Sequence, residues 1–466
     1  MLFLNLSKIS IALPYYKTHL KAESVLSPIV NLFNIMKKYA YILCLLLLAS
    51  SYSFSQTSPT NDWIDYSQEY LKIPVIEDGV YRVLKSDLKA KGIAVETIPN
   101  DLYQIFENGA EIPLNVTSEY IEFYGKKPTD ELDQDLYEDS LDRLNRSYSQ
   151  YTDTSYYFLT HGTTVGLRFK PITSTSVSGL PKIETYKKTI TKSYHDLYCS
   201  GARLHSTLYH PKLGSGDGWV SKVLDGNPTA IVTEQLDLTD MVENTSARFV
   251  TYAIGANNRT AERDYHDGYN QHALVEYNLG GWKNLLNAYF TGFTKKQLAF
   301  DIEPTYLDNG KFNFQISSDK SYNGVKKQFR GRFQVTDINI SYQAKIRLQN
   351  ELNGVFQLPS TSSPSHVEIT NFNGTNPVVF DIINGRIFNF IKTGTTLGIR
   401  LDQSSDGHQL IVSDESTIKT ATLRKFKFSK TSILPETDFL IIRNRRFENE
   451  VIEYADFRSS ASGGAF

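Results

Sequence analysis

Apolar residues recur at every second position along much of this chain: Val75, then Tyr81 and Val83; Val275, Tyr277 and Leu279; Leu298, Phe300 and Ile302; Phe312, Phe314 and Ile316; Ile338, Ile340 and Tyr342. A period of two places one set of side chains on one side of a strand, so each run predicts a half-buried β-strand. Turn-forming pairs punctuate the runs: Asp78-Gly79, Asn108-Gly109, Asp308-Asn309-Gly310, Asn323-Gly324, Asn353-Gly354, Asn373-Gly374 and Asn384-Gly385. Such residues supply the positive φ of tight hairpins. The pattern predicts an all-β protein of antiparallel sheets, arranged as jelly-roll-like β-sandwiches. One helical turn is expected from Ser86 to Lys91, with Ser86 as cap and Gly92 as stop.

The last thirty residues have another pattern. Phe439-Leu440-Ile441-Ile442 is a continuous apolar run, as in a strand covered on both faces, and Phe447, Val451, Tyr454 and Ala455 follow at helical spacing. A strand and an amphipathic helix are expected, the first β-α unit of an α/β domain. A lone unit of that kind cannot bury its own faces.

Polar segments divide the chain. Residues 128–150 concentrate seven carboxylates, Asp130, Glu131, Asp133, Asp135, Glu138, Asp139 and Asp142, and predict a solvated linker. A calcium loop would need a turn glycine, which the segment lacks. Thr173 to Gly179 and Pro359 to Ser365 predict loops. The expected organisation is a β-rich domain over 56–170, a β-sandwich over 180–432, and the opening of a further domain over 436–466.

Composition narrows the classes. Aromatic residues make up 12% of the 466 residues and charged residues 21%, the balance of a folded chain and not of a disordered one. The net charge of −2 has no basic run within it, which removes the electrostatic grip that nucleic-acid binding requires. From Met36, the sequence MKKYAYILCLLLLASSYSFSQ has the basic start, short apolar core and small residues of a signal peptide over 36–55. Its core is too short to span a bilayer, so no transmembrane segment is expected in the exported chain. Residues 1–35 are expected to be an upstream extension added by a wrongly assigned start. Loss of residues 1–55 removes five Lys and one Glu, leaving 44 basic residues against 50 acidic, a net −6.

Candidate chemistry is sparse. Export would leave Cys199 as the sole cysteine, with His195, His205 and His210 as residue types that could activate it. No nucleophile motif surrounds Cys199, and a small buried hydrophobe is the expected state. Asp264, His266, Asp267 and His272 could ligate a metal but lack the spacing of a zinc-binding helix, so a polar loop is expected. Gly214-Ser215-Gly216-Asp217-Gly218 lacks the Lys and Ser/Thr of a phosphate loop and predicts a turn before Trp219. Trp63, Trp219 and Trp282 are candidate platforms for a sugar or a protein partner, with burial as the commoner fate. No catalytic, cofactor-binding or metal-ligating residue is assigned, and no cofactor is expected.

The stretch Tyr70-Leu71-Lys72-Ile73-Pro74-Val75-Ile76-Glu77-Asp78-Gly79-Val80-Tyr81-Arg82-Val83, followed by Ser86-Asp87-Leu88, resembles the opening of gingipain-like cysteine peptidases and the related type IX secretion sortases. Further similarities follow in the family's order: Ile121 to Gly125, Asp153 to Leu159, Gly216 to Trp219, and Ala455-Asp456-Phe457-Arg458. The last is similar to the helix that opens the family's caspase-like catalytic domain. The resemblance implies an exported or cell-surface protein of a Gram-negative bacterium, in which β-rich regions precede a peptidase domain. It also implies that the catalytic His and Cys belong to that domain, whose opening alone is expected here. His161-Gly162 and Gly407-His408 each match a fragment of the catalytic turn but lie in predicted β regions and are not assigned to it. Two functions are therefore expected to compete. One is a non-catalytic ancillary region that supports or restrains the catalytic domain, with that domain and type IX machinery as partners. The other is a β-sandwich module that binds surface glycan or protein.

Overall fold

The computed structural model describes residues 61–464 except 138, 140, 141, 144, 201–216, 259–266, 323, 324, 327, 328, 350 and 431–438. The upstream extension and the signal peptide lie outside the described residues. Among the described residues no helix is long and apolar enough to cross a membrane.

Alternation in the sequence becomes three pairs of sheets. In the first pair, one sheet runs in the order Arg424–Phe426, Tyr70–Val75, Ser155–His161, Tyr103–Glu107, Ala110–Ile112. The other runs Lys419–Thr420, Gly79–Leu84, Tyr120–Gly125, Asn115–Val116. Ile73, Val75, Val83, Ile105, Ile121, Phe123, Tyr157 and Leu159 meet between them as one buried core. Asn108 and Gly109, at φ +47° and +87°, turn the hairpin from Tyr103–Glu107 to Ala110–Ile112; both positive angles belong to the tight turn whose twist matches the strands.

The second pair is a jelly roll. Its eight strands in chain order are Thr185–Lys192, Val232–Asp237, Ala247–Gly255, Gln271–Asn278, Trp282–Phe290, Lys295–Ile302, Lys311–Ser318 and Ile338–Lys345. The first, eighth, third and sixth form one sheet, to which the short strand Phe333–Val335 is added against the third, and the second, seventh, fourth and fifth form the other. This order is that of two interleaved Greek keys. Phe249, Leu298, Phe312, Phe314, Ile316, Ile338 and Ile340, all from alternating positions, fill the interior.

The third pair comprises Asn353–Leu358, His408–Asp414, Pro377–Asp381, Arg386–Phe388 and Lys170–Ile172 on one side, and Ile391–Thr393, Thr396–Leu401, Ser365–Ile369 and Lys182–Ile183 on the other. Its apolar interior is continuous with that of the jelly roll. A smaller cluster, Val80, Phe169, Phe380 and Ile411, joins it to the first pair. Residues 61–464 lie in a single compact unit, whose chain leaves the first pair of sheets and returns to it at 419–426.

Several local expectations are corrected. The short helix is Lys85–Ala90, preceded by Leu84 with no side-chain cap, so Ser86 sits inside the first turn. Asp78-Gly79 closes no hairpin, because the strands on either side enter different sheets. Asn353-Gly354 begins a strand. Asn323-Gly324 lies outside the described residues. The helix of the carboxyl-terminal segment forms over Glu448–Ser459, but Phe439–Ile442 belongs to no strand and Phe439, Leu440 and Ile442 are exposed. The run is apolar enough for a buried strand, yet no described sheet edge takes up its backbone groups, and apolar content alone cannot supply those bonds.

Candidate functional site

The segment predicted to be a solvated linker is a polar clasp. Thr129 caps a 3₁₀ turn over Asp130–Leu136, its hydroxyl accepting the Glu131 N–H. Asp130 is buried and accepts two bonds from the Arg143 guanidinium, at 2.6 and 2.8 Å. A fork of this kind offsets the cost of burying the carboxylate, while the guanidinium stays partly exposed. Asp133 accepts from the Ser149 hydroxyl (3.1 Å) and the Gln150 N–H (2.6 Å). The other carboxylates of the segment that are described have less buried positions, so the acidic character that predicts solvation is divided between two anchors and a wet rim.

Four further bonds fasten the clasp to the jelly roll and to the strand Asp217–Val220 beside it, and a fifth lies within the clasp. Asn145 donates from one amide nitrogen to the carbonyls of Tyr194 (3.1 Å) and Trp219 (2.8 Å). Tyr137 donates to the Asp217 carbonyl at 3.2 Å, and Gln150 donates to the Tyr137 hydroxyl at 2.9 Å. The Arg146 N–H donates to Asp337 at 3.2 Å. Gly218, at φ +137°, lies under this seam: a Cβ there would sit 2.9 Å from the Gln150 amide nitrogen. The glycine thus serves both a backbone angle and a close approach.

Beside the clasp opens a cleft of about 840 Å³. Its walls come from the bend after Tyr70–Val75, from the clasp and from the short hairpin Leu197–Ser200 with Asp217–Val220. The His195 ring lies between Tyr148 (4.8 Å) and Trp219 (3.8 Å), and Tyr198 meets Trp219 edge-on at 5.7 Å. Lys127 stands over Tyr148 at 5.1 Å. Glu77, Asp78 and Asp153 form the acidic side. A bond from the Lys419 ammonium holds Glu77 below the usual carboxylate range. Aromatic faces beside carboxylates equip this cleft to hold a ligand. The one hydroxyl of its floor engaged with a carboxylate, Ser149, is spent on Asp133 within the clasp.

The sequence candidates fall into separate places. Cys199 is buried against Val220, Ile254 and Tyr252. Alternation along its strand puts Tyr198, which meets Trp219, on the opposite side, and His195 packs on Trp219 in the aromatic cleft. His205 and His210 lie outside the described residues, as do Asp264, His266 and residues 214–216. Asp267 occupies an exposed turn at φ +49°. His272 is buried, with Asn287 at 3.0 Å on one ring nitrogen and Asp319 at 3.5 Å on the other, and stacks on Tyr289. Asp217 and Gly218 start a strand instead of a turn. His161 ends a strand at the surface. His408 is buried, with Asp381 at 2.7 Å and Asn384 at 3.2 Å, as a structural partner of the 381–386 hairpin.

The tryptophans have three different fates. Trp63 is half-buried and packs among Tyr70, Phe106, Phe158 and Phe428 outside the sandwich core. Trp219 joins the cleft. Trp282 is exposed at a hairpin end. The clasp itself had no recognisable sequence signal, because its partners lie up to 191 residues away, as Arg146 and Asp337 do.

An all-β chain of serial sandwiches, carrying an aromatic and acidic cleft at a junction, is the class that these features define. No protein-family model matches the chain, and no curated protein matches it. Among solved structures its fold is similar to that of dimeric latent PorU from Porphyromonas gingivalis, with a TM-score of 0.54 and 13% identity over 85% of this chain and 36% of that one. The chain thus spans about a third of the length of that protein. A β-glucuronidase from Bacteroides uniformis aligns over 52% of this chain and 32% of that one at 9% identity, with a TM-score of 0.15, a value that carries no fold likeness.

Proposed function

We propose that this chain is the non-catalytic ancillary region of an exported gingipain-like cysteine peptidase or type IX sortase, and that its sandwiches support or restrain the catalytic domain. The observation that carries this reading is the PorU-like fold across 85% of the chain. The ordered motifs from Tyr70 to Arg458 support it independently of the fold. So does the Glu448–Ser459 helix, which buries none of its residues, exposes Ile452, Tyr454 and Phe457, and meets the exposed Phe439 through Tyr454. Apolar surface of that kind is normally covered. In this reading the covering partner is the catalytic domain, and the signal sequence from Met36 directs the protein out of the cytoplasm.

Nucleophilic catalysis needs a thiolate, a base and oxyanion donors on one rigid site. Cys199 packs against Val220 and Ile254 instead. The full chain is therefore expected to leave Arg- and Lys-containing reporter peptides uncut, and Cys199→Ala to behave as the wild type. Thiol-dependent cleavage that disappears in Cys199→Ala would overturn the reading. Its positive arm is calorimetric titration with a separately produced gingipain-like catalytic domain. Binding that weakens when Tyr454 and Phe457 are both changed to Ser supports it, and absence of binding counts against it.

A further inference from the structure

On the jelly roll, one row of polar side chains crosses four adjacent strands and ends on an indole. Gln235 is opposite Asn313 across the strands Val232–Asp237 and Lys311–Ser318. The register of Tyr277 with Phe314 carries the row on to Asn278 at the end of Gln271–Asn278, and Asn278 is opposite Trp282 at the start of Trp282–Phe290. Residues directly opposite one another share a side of the sheet, and this side is the one away from the core, since Phe312, Phe314 and Ile316 point inward. Three inter-strand steps of about 4.8 Å make the row roughly 14 Å long. A cavity of about 580 Å³ lies along it, lined by all four residues.

We propose that this row is a binding site for a neutral saccharide chain, with Trp282 as the stacking platform. Trp282 is 42% exposed and, among the described residues, no aromatic ring packs on it, in contrast to Trp63 and Trp219. An indole presents a flat apolar face and an N–H at its edge, which suits the C–H face of a pyranose flanked by hydroxyls. The amides supply the matching polarity. Gln235 donates to the Asn313 carbonyl at 2.6 Å, which leaves the Gln235 carbonyl to accept and the Asn313 amino group to donate. The Asn278 carbonyl accepts the Gly281 N–H at 3.1 Å, which leaves its amino group to donate. Mixed donors and acceptors without a formal charge fit hydroxyl groups better than they fit an ion.

Charge at the margin selects further. Of the two carboxylates bordering the cavity, Glu234 is occupied by the Tyr194 hydroxyl (3.1 Å) and Lys192 (3.4 Å). Asp308, whose carboxylate accepts from the neutral Asn309 amide at 2.9 Å, keeps its charge at the edge, so an acidic sugar meets a like charge there and gains no cation among the lining residues. The site is independent of the ancillary reading, because it lies on the jelly roll's own outer face.

The test is calorimetric titration of the full chain with cellohexaose, maltohexaose and mannohexaose, and with hexagalacturonate as the acidic counterpart. At least one neutral probe should bind, hexagalacturonate should bind more weakly or not at all, and Trp282→Ala should weaken the neutral probe by about tenfold or more. Trp282→Tyr, which keeps a ring, should retain most of the affinity, and Asn313→Ala tests the amide row in a protein whose core is untouched. No binding of any neutral probe at millimolar concentration, preference for hexagalacturonate, or unchanged affinity in Trp282→Ala would each overturn the proposal.

Discussion

Asp337→Asn should make the protein more stable than the wild type at neutral pH, by on the order of 3 kcal/mol, and no more stable in acid. Asp337 is buried at the seam between the clasp and the jelly roll, between Phe333–Val335 and Ile338–Lys345. Burial raises its pKa from 3.8 to about 6; the Arg146 N–H, the Asn339 side chain and the Arg146 charge oppose the rise, and nearby Asp130 adds to it. The folded protein therefore favours the protonated acid. That contribution is fully present below the unfolded value of 3.8 and is lost as the pH rises through about 6. A rise from 3.8 to about 6 corresponds to about 3 kcal/mol. Asparagine resembles the protonated acid in carrying no charge and keeps a carbonyl that can accept the Arg146 N–H. Other carboxylates, such as Asp414, whose pKa is lowered chiefly by the Ser416 hydroxyl, lose stability in acid in both proteins alike. Urea melts of the two proteins at neutral pH and near pH 3.5 isolate the difference. Equal stabilities at neutral pH would show that the Asp337 carboxylate is solvated or paired better than its burial implies.

The strands were legible where one side faces a core. Phe312, Phe314 and Ile316 alternate with Asn313 and Gln315 because the sheet has a dry and a wet side, and that contrast is written into consecutive residues. Asn108-Gly109 was legible for a similar reason, since its turn needs two positive angles that few residues accept. The return of 419–426 to the first pair of sheets was not, because Tyr70 pairs with Phe426 through backbone bonds that any sequence can make. Phe439–Ile442 misled for the converse reason: its composition suits a strand, while strand formation depends on a neighbour. The candidate cleft was half legible. Trp219 and His195 stood out by type, but their meeting depends on Tyr148, Asn145 and Gly218, and no local period connects those positions. Acidic residues 128–150 predict solvation by composition, and the structure shows that Asp130 and Asp133 are buried because Arg143, Ser149 and Gln150 supply donors from the same segment.

Asn145→Ala should cost roughly 3 kcal/mol and convert the clasp into the flexible connector that its composition suggests. Asn145 is buried, and its side chain serves three main-chain groups at once: the carbonyls of Tyr194 and Trp219 and the N–H of Ser147, the last at 3.1 Å. Alanine removes all three partners. Each buried main-chain group left unpaired costs about 1–3 kcal/mol, and water reaching the widened seam recovers part of the sum. The loss falls on the junction, since Trp219 borders the cleft and Tyr194 follows the first jelly-roll strand. Two measurements separate a junction from a general loss of fold. Urea unfolding reports the total cost, and limited trypsin digestion reports local opening, because Arg143 and Arg146 lie within the clasp. In the wild type the Arg143 guanidinium is held by Asp130, and cutting there should be slow relative to exposed sites such as Arg445. In Asn145→Ala, cutting at Arg143 and Arg146 should accelerate well before cutting within the sheets does. Rapid cutting at both positions in the wild type would mean that the clasp is open in solution, and the cleft, whose aromatic wall it carries through Tyr148, would then lose its fixed shape.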